Sequence, residues 1–169
     1  MNTEEKEHSS FHIDIDIRDQ NWIKHIPSIE EDTHSIIQRI LTEQLPSTEH
    51  VEISIVLTDN PFIQKLNHQY RNKDKPTNVL SFPQTEADEM NTPFPFISLG
   101  DIIVAFETIQ NEASEQNKTI KNHYTHMLVH GCLHLLHYDH ETEEDAKEME
   151  ALETQILDHL GIKNPYEEQ

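Results

Sequence analysis

Glycine is scarce in this chain, with three residues in 169, at positions 100, 131 and 161. None sits in a GxGxxG or Walker pattern, so no glycine-rich loop is present to cradle a nucleotide phosphate, and nucleotide-cofactor chemistry is not expected. Cysteine is rarer still. Cys132 stands alone and cannot close an internal disulfide, which makes a reducing cytoplasm the expected setting. No apolar run approaches the ~20 residues of a membrane span, so no membrane association is expected. Met1 to Ser10 lacks the basic start and apolar stretch of a secretory signal. Cations are also few: 12 Lys and Arg face 32 Asp and Glu, for a formal net charge of −20. A chain this acidic repels a phosphate backbone at long range, so nucleic-acid binding would require a local cluster of cations.

What is present suits one globular domain: 34% hydrophobic and 26% charged residues over a single domain's length. Residues 1–10 read as an acidic disordered tail with nothing apolar to bury. Phe11, Ile13, Ile15 and Ile17 alternate with polar residues, as in a half-buried strand, and Val51, Ile53, Ile55 and Leu57 repeat the pattern. Between them, Ser28 with Glu31 reads as a capping box opening a helix that carries Ile29, Ile36, Ile37, Ile40 and Leu41, closed by Pro46. Asn60 and Pro61 read as an N-cap and first-turn proline of a second helix, with Phe62, Ile63, Leu66 and Tyr70 inward. A polar stretch, Arg71 to Asn78, leads to a short strand at Val79 to Phe82. A Pro-rich acidic loop follows, Gln84 to Phe96, and then an apolar strand, Leu99 to Ala105. Helices are predicted over Glu107 to Asn117, Thr119 to Leu136 and Glu143 to Leu160, the last capped by Thr142 and stopped by Gly161. The expected fold is a single α+β domain over residues 11–169, a small mixed sheet of about four strands packed by about five helices, with a metal site at a helix end.

Thirteen histidines are many for such a chain, and imidazole is the commonest metal ligand. They concentrate in His130-Gly131-Cys132-Leu133-His134-Leu135-Leu136-His137-Tyr138-Asp139-His140. His130 and His134 lie four apart and share one helix face. Two such residues are often only the wet face of a helix, but a third histidine just beyond the helix end favours a metal. His126 is on the same stripe but about 12 Å of helix rise from His134, too far for one ion to bridge. His137 would serve only if the helix ended early. His140 follows the helix end, where the chain can turn back, and is the expected third ligand. Three histidines leave a fourth position for water, so the expected chemistry is a metal-polarised water acting as nucleophile. One Zn2+ per chain is the expected ion, although nickel and copper also suit imidazole. Asp139 is either an acceptor orienting an imidazole or a turn residue. His123, His126 and His137 are expected at the surface or lining a pocket, and Cys132 is expected to pack as a small hydrophobe. The ligand spacing matches the metzincin pattern HExxHxxGxxH, but Gly131 holds the position of the general-base glutamate and cannot accept a proton.

The histidine segment resembles the HGxLHLxGYDH signature of the YbeY family of bacterial endoribonucleases. The resemblance extends through Tyr70-Arg71-Asn72-Lys73-Asp74-Lys75-Pro76-Thr77-Asn78-Val79-Leu80-Ser81-Phe82-Pro83, through Leu99-Gly100-Asp101-Ile102, and through Glu148-Met149-Glu150-Ala151-Leu152-Glu153-Thr154. It implies a cytoplasmic, zinc-dependent hydrolase that cuts single-stranded ribosomal RNA in ribosome maturation and quality control. The implied partners are the small ribosomal subunit and its assembly proteins. It also implies that His130, His134 and His140 bind zinc and that Arg71 is needed for activity. Arg71 stands out without the resemblance, since Arg71, Lys73 and Lys75 form a rare basic cluster, and a guanidinium can clamp a phosphate bidentately. The competing expectations are a zinc hydrolase of some other substrate and a non-catalytic, metal-stabilised ribosome-assembly factor. His137 takes the place of the signature's glycine, where a left-handed backbone is expected.

Overall fold

The first alternating segment folds as strand β1 (Ser10–Ile17). In the computed structural model, residues 10–46, 50–86 and 96–166 are described. Residues 1–9 of the expected tail and 87–95 of the acidic loop lie outside them. Three further strands follow, β2 (His50–Thr58), β3 (Val79–Pro83) and β4 (Phe96–Ala105). The sheet runs in the order β1-β2-β4-β3, with β1, β2 and β4 parallel and β3 antiparallel on the edge. This is the mixed four-stranded sheet expected from the sequence.

The described residues form six helices beside it: α1 (Asn21–His25), α2 (Ile29–Gln44), α3 (Asn60–Arg71), α4 (Phe106–Glu115), α5 (Ile120–Leu135) and α6 (Glu143–His159). Helix α1 has no periodic apolar pattern and is not predicted from the sequence. Tertiary burial of one residue holds it: Trp22 is fully buried, its indole N–H donates to the Thr58 carbonyl at 3.1 Å, and Phe106 meets its ring edge-on. The cap of α3 is Asp59 rather than Asn60, because the Asp59 carboxylate accepts the Phe62 N–H at 3.0 Å. Ser28 makes no backbone cap, since its hydroxyl donates to the Asp32 carboxylate instead. Tyr70, expected inward, is 61% exposed.

The main core lies between one sheet face and helices α2, α5 and α6, and includes Ile37, Ile40, Ile55, Leu57, Ile102, Leu128 and Leu133. Among the described helices, α3 covers part of the opposite face, around Ile63, Leu80, Ile103 and Ala105. Two glycines lie at close approaches. At Gly100 (φ 134°) the β2–β4 register shifts, and a Cβ would lie 2.1 Å from the Phe82 carbonyl oxygen. At Gly131 a Cβ would come within 3.1 Å of Ile102 and 3.2 Å of Ser81 and Val79. The Ser81 hydroxyl donates to the Gly131 carbonyl at 3.0 Å, so α5 is pressed directly onto edge strand β3. This packing explains why glycine occupies the position where a zinc peptidase carries its base.

Candidate metal centre and catalytic cleft

Helix α5 is buried over most of its length, and its histidines form a single ladder. It starts at Thr119, whose hydroxyl accepts the Asn122 N–H at 3.0 Å. It ends in a Schellman turn: His137 N–H bonds the His134 carbonyl at 3.0 Å, and Tyr138 N–H bonds the Leu133 carbonyl at 3.0 Å. The turn requires a left-handed residue, and His137 has φ 71°. Its ring N–H donates to the Thr85 carbonyl, which occupies that nitrogen. The chain then doubles back and returns His140 to the ladder, with ring centroids 5.8 Å from His130 and 5.1 Å from His134.

One ligand atom from each of His130, His134 and His140 lies within 4.8 Å of the other two. The donor chemistry also fits a cation. His130 Nδ1 is 2.9 Å from the Glu153 carboxylate, and His134 Nδ1 is 3.1 Å from the Tyr138 carbonyl. Both partners only accept, so both rings carry their proton on Nδ1 and keep a lone pair on Nε2. The two Nε2 atoms converge to 3.0 Å. Neither has a proton for the other, so this is the arrangement of two ligands to a common ion. Tetrahedral coordination at 2.0–2.1 Å spaces ligand atoms by roughly 3.3 Å. Burial first, and then the neighbouring His130 and His140 rings, lower the pKa of His134 and favour its neutral, ligating form. Asp139 takes its place in the turn, where its carboxylate accepts the His140 backbone N–H at 2.7 Å.

Glu153 organises the ladder from α6 and is not singled out by the sequence reading. It is 1% exposed and accepts from His126 Nε2 at 2.9 Å, His130 Nδ1 at 2.9 Å and the Tyr166 hydroxyl at 2.7 Å. Burial alone would raise its pKa. The hydrogen bonds from His126, His130 and Tyr166 outweigh this and hold it down to about 2. A signal does exist in the sequence, because Glu153 interrupts the stripe Met149, Ile156 and Leu157 that faces the core. His123 and His126 are correspondingly not surface residues. Both are buried, and His123 Nε2 bonds the Glu112 carboxylate at 2.8 Å. Glu112 also accepts from Asn78 at 3.0 Å, tying the upper ladder to the start of β3. Cys132 packs in the core as expected, and burial pushes its thiol up to about 12.

Arg71 reaches the site from the other side. It is the last residue of α3, which ends because Asn72 adopts the left-handed conformation at φ 57°. The basic loop beyond is fastened to the helix, as Asn67 Nδ2 donates to the Lys75 carbonyl at 2.9 Å and Gln64 Nε2 to the Asp74 carboxylate at 3.0 Å. Arg71 makes no ion pair among the described residues. It lines a cleft of about 720 Å³ together with His130, His134, Asp139 and the exposed edge of β3.

Comparisons with known proteins show the family. The family model described as Endoribonuclease YbeY matches residues 14–161. The Endoribonuclease YbeY of Bradyrhizobium diazoefficiens is 48% identical over 143 residues, covering 81% of this chain and 78% of that protein. The solution structure of a Thermotoga maritima protein superposes with a TM-score of 0.52 at 25% identity, over 88% of this chain and 91% of that one. The histidine ladder, Glu153 and Arg71 all fall within the span that the family model matches, and the chain belongs to the endoribonuclease YbeY family.

Proposed function

We propose that this protein is a zinc-dependent endoribonuclease that cleaves single-stranded RNA, acting in the cytoplasm on ribosomal RNA during ribosome maturation and quality control, with the small ribosomal subunit and its assembly proteins as partners. The observation that carries the reading is that two of the three converging histidines, His130 and His134, line one cleft with Arg71, an arginine without an ion pair among the described residues. His130, His134 and His140 would hold one ion, whose Lewis acidity supplies activation of an oxygen beside the phosphorus. Arg71 clamps the phosphate and offsets the charge that develops on it. Lys73 and Lys75 attract the neighbouring backbone. Glu153 and the Tyr138 carbonyl hold the His130 and His134 rings in the ligating tautomer, and Asp139 steadies the turn that carries His140. Peptide hydrolysis has less support, because Gly131 offers no base and lies against β3.

With so few cations around the cleft, RNA binding depends on local charge and weakens steeply with salt. The test is cleavage of an end-labelled single strand beside the same sequence as a duplex, with and without a chelator. The expected result is chelator-sensitive cutting of the single strand alone. A duplex cut equally well, or hydrolysis of a peptide panel with RNA left intact, overturns the proposal.

A further inference from the structure

On the sheet face opposite α5, the apolar residues outrun their cover. Strand alternation points Val56, Phe82, Asp101 and Ile103 to this side, because Leu57, Ile102 and Val104 point to the core. Helix α3 lies over part of the face and leaves a groove of about 330 Å³ over Val56, Leu66 and Ile103, with Phe62 along one side. The volume is at the small end of ligand sites and suits one planar group.

Tyr70 and Phe82 line both this groove and the catalytic cleft. Tyr70 is 61% exposed, immediately before Arg71, and the Phe82 ring braces it at a centroid distance of 5.2 Å and 61°. A large aromatic held out beside a phosphate-binding arginine is the arrangement of a stacking platform for single-stranded nucleic acid. The groove also contains a carboxylate, Asp101, which accepts from Gln84 Nε2 at 3.2 Å and from Ser54. A carboxylate at the rim matches the N–H groups on a base edge.

We infer that the groove beside Tyr70 is a nucleobase subsite, in which the base next to the phosphate held at Arg71 stacks on Tyr70 and turns its N–H edge to Asp101. This rests on the ribonuclease reading and adds what that reading lacks, a contact that selects an unpaired base. A duplex cannot offer its base face to Tyr70, so the subsite supplies single-strand preference.

The test uses the full chain and a short single-stranded RNA carrying 2-aminopurine at one position at a time. Overall binding is followed by anisotropy and local stacking by 2-aminopurine fluorescence. At one position the fluorescence changes on binding. Tyr70→Ala abolishes that change, weakens binding about ten-fold and raises KM by a similar factor, while Tyr70→Phe restores all three. An abasic residue at that position weakens binding to the parent by about the same factor and weakens Tyr70→Ala no further. RNA binding that Arg71→Ala reduces and Tyr70→Ala does not would refute the subsite and leave the ribonuclease reading standing. A parent that binds no RNA would refute both.

Discussion

Replacing Glu153 with glutamine keeps the shape of a buried carboxylate that accepts three hydrogen bonds and removes its charge. Three donors converge on it, from His126, His130 and Tyr166. An amide presents one oxygen and one NH2, so its NH2 must face a histidine N–H in either orientation. With the NH2 toward His130, the ring must move its proton to Nε2 and loses the lone pair aimed at the ion. With the NH2 toward His126, that ring must move its proton to Nδ1, which is buried without a partner. Hydrogen bonds to a charged acceptor contribute about 1.5–3 kcal/mol each and neutral ones about 1 kcal/mol. A net loss of about 2 kcal/mol follows, and a Tm lower by roughly 4–8 °C at this chain length. Removing the group that orients a metal-ligating histidine weakens metal binding about 10–100-fold. Competition with a chromophoric chelator measures the second effect, and thermal unfolding of metal-free protein measures the first. A folded Glu153→Gln variant with the parent's metal affinity would refute the claim that Glu153 sets the His130 tautomer.

Three other substitutions test separate parts of the structure. Gly131→Ala forces α5 away from Ile102, Ser81 and Val79, and the strain exceeds the gain in helix propensity. A loss of about 1–2 kcal/mol in denaturant unfolding is expected, and a neutral or stabilising result would contradict the close packing. Glu112 is held below the ordinary 4.5 chiefly by its hydrogen bond to His123. Its contribution is therefore complete above pH 4.5 and fades as pH falls through the lower folded value. The stability gap between the parent and Glu112→Gln should shrink on acidification below pH 4.5, and a gap that is constant or widens would count against the pairing. His137→Ala should leave chelator-competed metal affinity within about two-fold while costing roughly 0.5–1.5 kcal/mol for the lost bond to Thr85. His137→Gly should recover part of that cost, because the left-handed backbone suits glycine. A large loss of metal affinity in either would make His137 a ligand.

The elements with strong local signals were legible in the sequence. Alternation marked β1 and β2, Thr142 and Gly161 marked both ends of α6, and the i, i+4 spacing put His130 and His134 on one face. Helix α1 was not legible, because what fixes it is the burial of Trp22 against Phe106 and Thr58, contacts between distant parts of the chain. The same holds for Glu153. Its neighbours on α6 show only an acid within an apolar stripe, and its meaning depends on α5 lying alongside. The expectation that His123 and His126 lie at the surface or line a pocket, where the fold buries both, has the same origin, since a buried histidine requires a partner that local sequence does not display. The left-handed turn at His137 was readable from the helix-end signature, but the bond that occupies its ring depends on Thr85, 52 positions away.

The central claim is that the histidine cluster and Arg71 act together on RNA. Tag-free protein incubated with single-stranded ribosomal RNA fragments, beside His134→Ala and Arg71→Ala prepared in parallel, tests it most directly. The account predicts cleavage by the parent and by neither variant. Equal cleavage in all three preparations, or none by a folded, metal-loaded parent, would contradict it.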